Sequence, residues 1–178
     1  MVIIGKGGMA REVEAYIFQR NCGKAILLES HEFSECDKSP AVIAIGDPAT
    51  RVRIDAAFEA RWTRLNFGRT HIDLICGDGT IICPGAVLTV CVLVGCHVII
   101  NVNCTVMHDS NIGDFTTLSP GVHVSGNVFI GKRCYIGSGA VIREKVLICD
   151  DVVIGAGAVV VSDITEPGTY VGVPAKRI

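Results

Sequence analysis

The residues best suited to chemistry in this 178-residue chain are His108 and Asp109, adjacent in the stretch Val106-Met107-His108-Asp109-Ser110. An imidazole titrates near neutral pH and can take a proton from an attacking amine or hydroxyl, and a neighbouring acid can orient the ring and raise its basicity. Successive residues on a strand face opposite sides, so the pair can meet only where a corner bends the chain. His31, His71, His97 and His123 have no acid in a comparable slot. A second candidate is the turn Gly5-Lys6-Gly7-Gly8, which follows the apolar run Val2-Ile3-Ile4. The pattern Gly5-x-Gly7-x-x-Ala10 approximates a dinucleotide fingerprint, whose glycines let amides at a helix N-terminus approach phosphates. The nine cysteines include no Cys-x-x-Cys pair. They suit neither a disulfide framework nor a zinc cage, and they read as reduced, several of them small core residues.

The element that must hold His108 is a repeat. Every sixth residue from Cys76 (Ile82, Leu88, Val94, Ile100, Val106 and onward to Val160) is apolar, fifteen in succession. At a 49% apolar background the chance of that run in one chosen phase is on the order of 10⁻⁵. Four places after each stands a second set, nearly all small or β-branched, among them Ala86, Cys104, Ser110 and Thr116. A period of six fits neither a helix nor simple alternation; it fits short strands separated by corners, three to a coil, in a parallel β-helix of about five coils. An ordinary β-sandwich would show turn signals every 8–12 residues and no fixed phase. Glycines such as Gly77, Gly113, Gly131 and Gly137 directly follow an inward aliphatic residue, where the chain must bend and bulk would intrude. His108 lies off both inward phases and is expected to point outward at a corner.

The first seventy residues have another pattern. After the glycine turn, residues 9–20 place Val13, Ile17 and Phe18 on one helical face; residues 24–29 and 41–47 read as further strands, and a second helix is expected from Pro48 through Ala60. The organisation is therefore a small Rossmann-like α/β unit (1–68), a β-helix (69–165) and a C-terminal tail (166–178), with the unit and the tail expected to cover the two ends of the helix. On these residues alone the α/β unit could be a truncated dinucleotide site, a nucleotide-sugar site or a ligand-free module, since a full dinucleotide domain needs two such halves. A net charge of −2 without a basic run excludes a nucleic-acid surface. No window has the apolar length of a membrane span, so no membrane insertion and a cytoplasmic location are expected.

The hexad ladder, followed by Tyr170-Val171-Gly172-Val173-Pro174-Ala175-Lys176, resembles the left-handed β-helix of hexapeptide-repeat acyltransferases. With the glycine turn and the stretch from Ala44 to Arg51, the chain resembles sugar O- and N-acyltransferases: sialic acid O-acetyltransferases and the N-acetyltransferases of bacillosamine-type and perosamine-type nucleotide amino sugars. The resemblance implies a homotrimer with acetyl-coenzyme A between neighbouring β-helices and the nucleotide of the sugar in the N-terminal unit. It places Gly7, Gly8, Met9, Glu29, Ser30 and Gly46 around that nucleotide, although relatives often carry histidine where this chain has Met9. It puts Asn101 near the acceptor sugar, Thr117, Ser138 and Ala156 against the coenzyme, and His108 as general base with Asp109 beside it. Some β-helix enzymes hold zinc through two histidines a few residues apart; the positions 97, 108 and 123 do not supply that spacing, and no metal is expected. The expected activity is acetyl transfer from acetyl-coenzyme A to the amino group of a UDP- or GDP-linked 4-amino sugar by direct attack. The alternatives are sugar O-acetylation and a non-catalytic β-helix that binds a sugar nucleotide.

Overall fold

In the computed structural model, which describes residues 1–20, 24–32, 39–58, 60–71 and 73–178, the uninterrupted apolar run Val2–Ile4 (β1) is buried at every position. It is the centre strand of a three-stranded parallel sheet, flanked by β2 (Ile26–Leu28) and β3 (Ala41–Ile43). A strand buried on both faces needs a cover on each. Helix α1 (Gly8–Gln19) packs Ala10, Val13 and Ile17 against Ile3 and Val42 on one face. Helix α2 (Pro48–Ala57) brings Ile54 against Val2, Ile4 and Ile43 on the other. Phe18 departs from the expected face and is 78% exposed, because its neighbour Ile17 already occupies the direction of Ala10 and Val13, one residue or 100° away. Helix α2 also ends earlier than expected. Phe58 is extended (φ −135°, ψ 127°) and turns the chain back so that Trp62 can bridge to Ala41.

From Leu65 the chain winds into a parallel β-helix with three sheets. The first sheet stacks Leu65–Asn66, Ile81–Ile82, Ile99–Ile100, Thr117–Leu118, Tyr135–Ile136 and Val152–Ile154, the second begins with Arg69–Thr70, and the third with Ile75–Cys76. There are six coils rather than about five. The additional coil escapes the period because its first hexad is shortened: Leu65 pairs with Ile81, sixteen residues on, while Arg69 pairs with Val87 and Ile75 with Leu93, each eighteen on. Both inward sets form one continuous core from Ile82 to Ile164.

Each corner is made by one residue with φ near +55 to +75°, recurring every sixth position from Gly79 through Cys91, His97, Asn103, Asp109 and Phe115 to Gly157. The glycines that follow the inward aliphatics serve another purpose: a Cβ on Gly113 would lie 2.6 Å from the Gly131 carbonyl carbon of the next coil. The bend comes two residues later. Three inward positions are polar, and their hydroxyls bridge coils where backbone groups lack a ladder partner. Thr116 Oγ1 donates to the Gly131 carbonyl (2.8 Å) and accepts from the Cys134 amide (3.1 Å), and Thr80 and Ser110 repeat the device.

The ends are treated differently. Gly168–Val171 pairs with Val152–Ile154 and turns back antiparallel through Lys176–Arg177. The α/β unit does not cover the opposite end, contrary to expectation. It lies against the outside of the first sheet, with α1 on Phe67, Ile81 and Cys83. The first coil keeps an open mouth, a 400 Å³ cavity lined by Leu65, Thr70, His71 and Leu74.

Thr116→Val keeps the shape of the side chain but orphans the Gly131 carbonyl and the Cys134 amide in the core. It is expected to lower unfolding free energy by about 1–3 kcal/mol, with Thr116→Ser near wild type, as measured by denaturant or thermal unfolding.

Candidate functional site

Asp109 occupies a left-handed corner (φ +60°) at the edge between the second and third sheets. That corner folds its side chain back onto the preceding residue: His108 Nδ1 stands 2.8 Å from Asp109 Oδ2, and both side chains are half exposed. A carboxylate on Nδ1 fixes the tautomer that leaves the Nε2 lone pair available to a proton. The ring lies over Gly126 in the next coil, where a Cβ would come within 2.6 Å of Cε1 and Nε2. The sequence signal for this seat is a glycine eighteen residues after the histidine. His123 also faces outward, on the second sheet, with Nδ1 2.9 Å from Thr105 Oγ1.

The glycine turn, the end of β2 and the turn after β3 enclose a 350 Å³ cavity lined by Gly7, Gly8, Met9, Glu29 and Gly46, together with Lys6 and Ile45. Ser30 lines a second, 490 Å³ cavity that shares Glu29 and Ile45 with the first and adds Arg53 and Phe58. Lys6 forms a 2.7 Å ion pair with Glu32, whose carboxylate also accepts the Glu29 amide. The Asn101 amide reaches Met9 Sδ at 4.0 Å, so the sugar-side candidate on the β-helix touches the glycine turn.

Ser138 and Ala156 are exposed and stacked in successive coils at the edge between the first and second sheets, the edge at which Asn101 also begins. The Gly157 amide donates to the Ser138 carbonyl. Thr117 differs from expectation: it is buried, and its hydroxyl donates to the Gly46 carbonyl at 2.7 Å, so it ties the α/β unit to the β-helix instead of offering a donor to a coenzyme. Within one chain, therefore, Asn101, Ser138 and Ala156 share one edge, with the cavity reaching Asn101 through Met9, while His108 and Asp109 stand on the next.

The third edge carries the dock of α2. His97 is buried, stacked on Phe115 at 5.1 Å with Trp62 edge-on at 4.9 Å, and its Nε2 lies 3.1 Å from Asp55 Oδ1. Its Nδ1 has no hydrogen-bond partner. Burial holds this imidazole below its ordinary range, against the opposing pull of Asp55. The thiols of Cys83, Cys104 and Cys134 are pushed up to about 12, 11 and 11 by burial and are inert packing groups. Cys22 and Cys36 lie outside the described residues. Among the described residues no three His, Cys, Asp or Glu side chains converge as a metal-ligand set, and no helix is long and apolar enough to cross a membrane.

A family model described as bacterial transferase hexapeptide (six repeats) matches residues 127–162. Those residues lie within the six-residue repeat of the β-helix. Two curated relatives match part of the chain: a UDP-3-O-acylglucosamine N-acyltransferase of Bordetella avium (strain 197N), 41% identical over 68 residues, and a GDP-perosamine N-acetyltransferase of Escherichia coli O157:H7, 40% identical over 70 residues. These matches span 38% and 39% of the chain but only 19% and 32% of the relatives. Solved structures match it throughout. The acetyltransferase domain of PglB from Neisseria gonorrhoeae FA1090, also solved with acetyl coenzyme A, superposes with a TM-score of 0.91 at 28% identity, covering 99% of this chain and 98% of that one. PerB from Caulobacter crescentus, solved with CoA and GDP-perosamine, gives 0.89 at 27%, covering 99% and 96%.

A histidine held neutral by burial binds fewer protons folded than unfolded just below its free value, so stability falls as pH drops through about 6.5. Melting temperature against pH is expected to show this loss in wild type and a flatter acid limb in His97→Asn.

Proposed function

We propose that the chain transfers an acetyl group from acetyl-coenzyme A to the amino group of a nucleotide-linked 4-amino sugar, with His108 as general base. The observation that carries this reading is the exposed His108–Asp109 pair at 2.8 Å, set in a fold that matches PerB and PglB along its whole length. The amine attacks the thioester carbonyl and its proton passes to His108 Nε2. The new C–N bond forms, the C–S bond breaks, and the coenzyme leaves as a thiolate that takes up a proton. Asp109 orients the ring and stabilises the imidazolium. None of the buried thiols is required, because attack is direct.

The nucleotide occupies the cavity of the glycine turn, with Gly7, Gly8 and Met9 at the phosphates, Glu29 and Gly46 beside them and Ser30 in the adjoining cavity; Asn101 approaches the sugar, and the pantetheine arm follows Ser138 and Ala156. Because His108 stands on a different edge from that track, a complete site takes the histidine from one protomer and the track from a second, as a homotrimer of side-by-side β-helices allows. Exposed apolar side chains on the third sheet, Ile75, Leu93, Phe129 and Leu147, flank the His108 edge and supply a face for such association.

Turnover of acetyl-coenzyme A with a panel of UDP-, GDP- and dTDP-linked 4-amino sugars tests the reading, followed by loss of thioester absorbance so that the protein's own exposed thiols do not interfere. His108→Ala is expected to retain its fold and lose roughly 10²–10⁴ in turnover, with Asp109→Asn losing less. Gly126→Ala, which crowds the imidazole out of its seat, is expected to cost on the order of tenfold. Full turnover by a folded His108→Ala would remove the base assignment; hydroxyl rather than amine acceptors in the panel would redirect it to O-acetylation.

A further inference from the structure

Among the described residues the most deeply buried charge lies in neither candidate site. Arg51 projects from the first turn of α2 and is 0% exposed, yet among the described residues no carboxylate hydrogen-bonds its guanidinium. Every bond it makes goes to a main-chain carbonyl. Nη1 donates to Ile45 (2.7 Å) and Gly46 (3.0 Å), Nε to His97 (3.0 Å) and Nη2 to Phe115. Burial lowers its pKa to about 10, which leaves it cationic at neutral pH. Burying a cation is costly unless its donors are satisfied, and the carboxylate that attracts this one, Asp47, does so without a hydrogen bond to it. Docking α2 alone could be done by an apolar side chain, so the arginine is informative for what it grips.

What it grips are three separate pieces of chain. His97 and Phe115 are left-handed corners of successive coils on the third edge of the β-helix. Ile45 and Gly46 form the turn after β3 and are part of the wall of the cavity assigned above to the nucleotide. The Gly46 carbonyl receives a second donor from the β-helix, Thr117 Oγ1. A trans peptide sets its N–H opposite its C=O, so drawing the Ile45 and Gly46 carbonyls onto the guanidinium turns the amides of Gly46 and Asp47 away from it. Five donor–acceptor contacts from Arg51 and Thr117 thus fix both the orientation of this turn and its place relative to the β-helix.

We propose that Arg51, assisted by Thr117, is a positioning residue for the nucleotide-linked substrate: by holding the Ile45–Gly46 carbonyls it presents the Gly46 amide to a phosphate oxygen and fixes that phosphate's distance from the coenzyme track. This inference rests on the nucleotide-sugar reading of the cavity. A fixed guanidinium also places a positive charge behind the turn, which favours an anion in front of it. Lysine carries the charge but not the planar fork, and cannot span the same four acceptors.

The test measures binding of UDP, GDP and dTDP to the full chain by calorimetry, before any turnover, and then the KM values of the sugar nucleotide and of acetyl-coenzyme A. Thr117→Val keeps the buried cation and removes one donor to Gly46; Arg51→Lys keeps the charge and removes the fork. Relative to wild type, dissociation constants for the best-bound diphosphate are expected to rise about three- to tenfold in Thr117→Val and more than tenfold in Arg51→Lys. The KM of the sugar nucleotide should rise in parallel, with that of acetyl-coenzyme A within about twofold. If Arg51→Lys does not fold, Thr117→Val decides the matter. Wild-type nucleotide affinity in the folded variants overturns the inference while leaving the cavity assignment standing. Loss confined to acetyl-coenzyme A overturns it by placing Thr117 in the coenzyme groove. Failure of all three diphosphates to bind wild type removes the cavity assignment itself, and the inference with it.

Discussion

Everything in this molecule hangs on the requirement that each hexad place one residue in the left-handed region, so that the chain can turn a corner and hydrogen-bond to the coil beside it. A non-glycine residue in that region carries a cost, and the structure bears it at nine described positions. The compensation is a ladder in which amide after amide finds the carbonyl of the next coil, with a continuous apolar core beneath it. Repeat architectures of this kind derive their stability from neighbouring units rather than from any unit alone. The His108–Asp109 contact is a by-product of the same turn. Asp109 meets His108 only because Asp109 is the corner residue; on a straight strand the two side chains would diverge.

A second order of structure is laid over the ladder by the α/β unit. Its position is set by the apolar outside of the first sheet at Phe67, Ile81 and Cys83, but its orientation is set by polar contacts at the third edge, where the buried Arg51 and His97 meet the half-buried Asp55. Apolar contact allows sliding, whereas hydrogen bonds to particular carbonyls do not. The division of labour explains why the edges of the β-helix, rather than its faces, carry both the dock and the reactive groups.

The six-residue period made the β-helix legible in the amino-acid sequence, because it is enforced by sterics at every coil and so leaves a mark at every coil. Where enforcement lapses the mark disappears. The first coil, with Leu65 only sixteen residues ahead of Ile81, fell outside the phase. The outward slot of His108 followed from the period, but its contact with Asp109 did not, since a positive φ at aspartate has no sequence signature at that slot, where Cys91, Phe115, Arg133 and Lys145 do the same. Helix α1 was legible from its apolar spacing, apart from Phe18. Arg51 was not: an arginine on a short helix reads as solvated, and only the packing of two units against each other shows that it is enclosed. The buried role of Thr117 was hidden for the same reason, because its partner Gly46 is 71 residues away.

Adjacent coils are separated by one strand spacing, about 4.8 Å, and side chains eighteen residues apart point the same way. Such a lattice is a ruler with fixed divisions. Asn101 stands in the third coil and Ser138 in the fifth, so they are offset by roughly 10 Å along the axis. A ligand touching both could not change its length by a gradual shift; a contact would have to jump a whole division, to the equivalent residue one coil up or down. Discrimination by length in a scaffold of this kind is therefore stepwise, and a change of preferred substrate is made by exchanging residues between rungs that already exist.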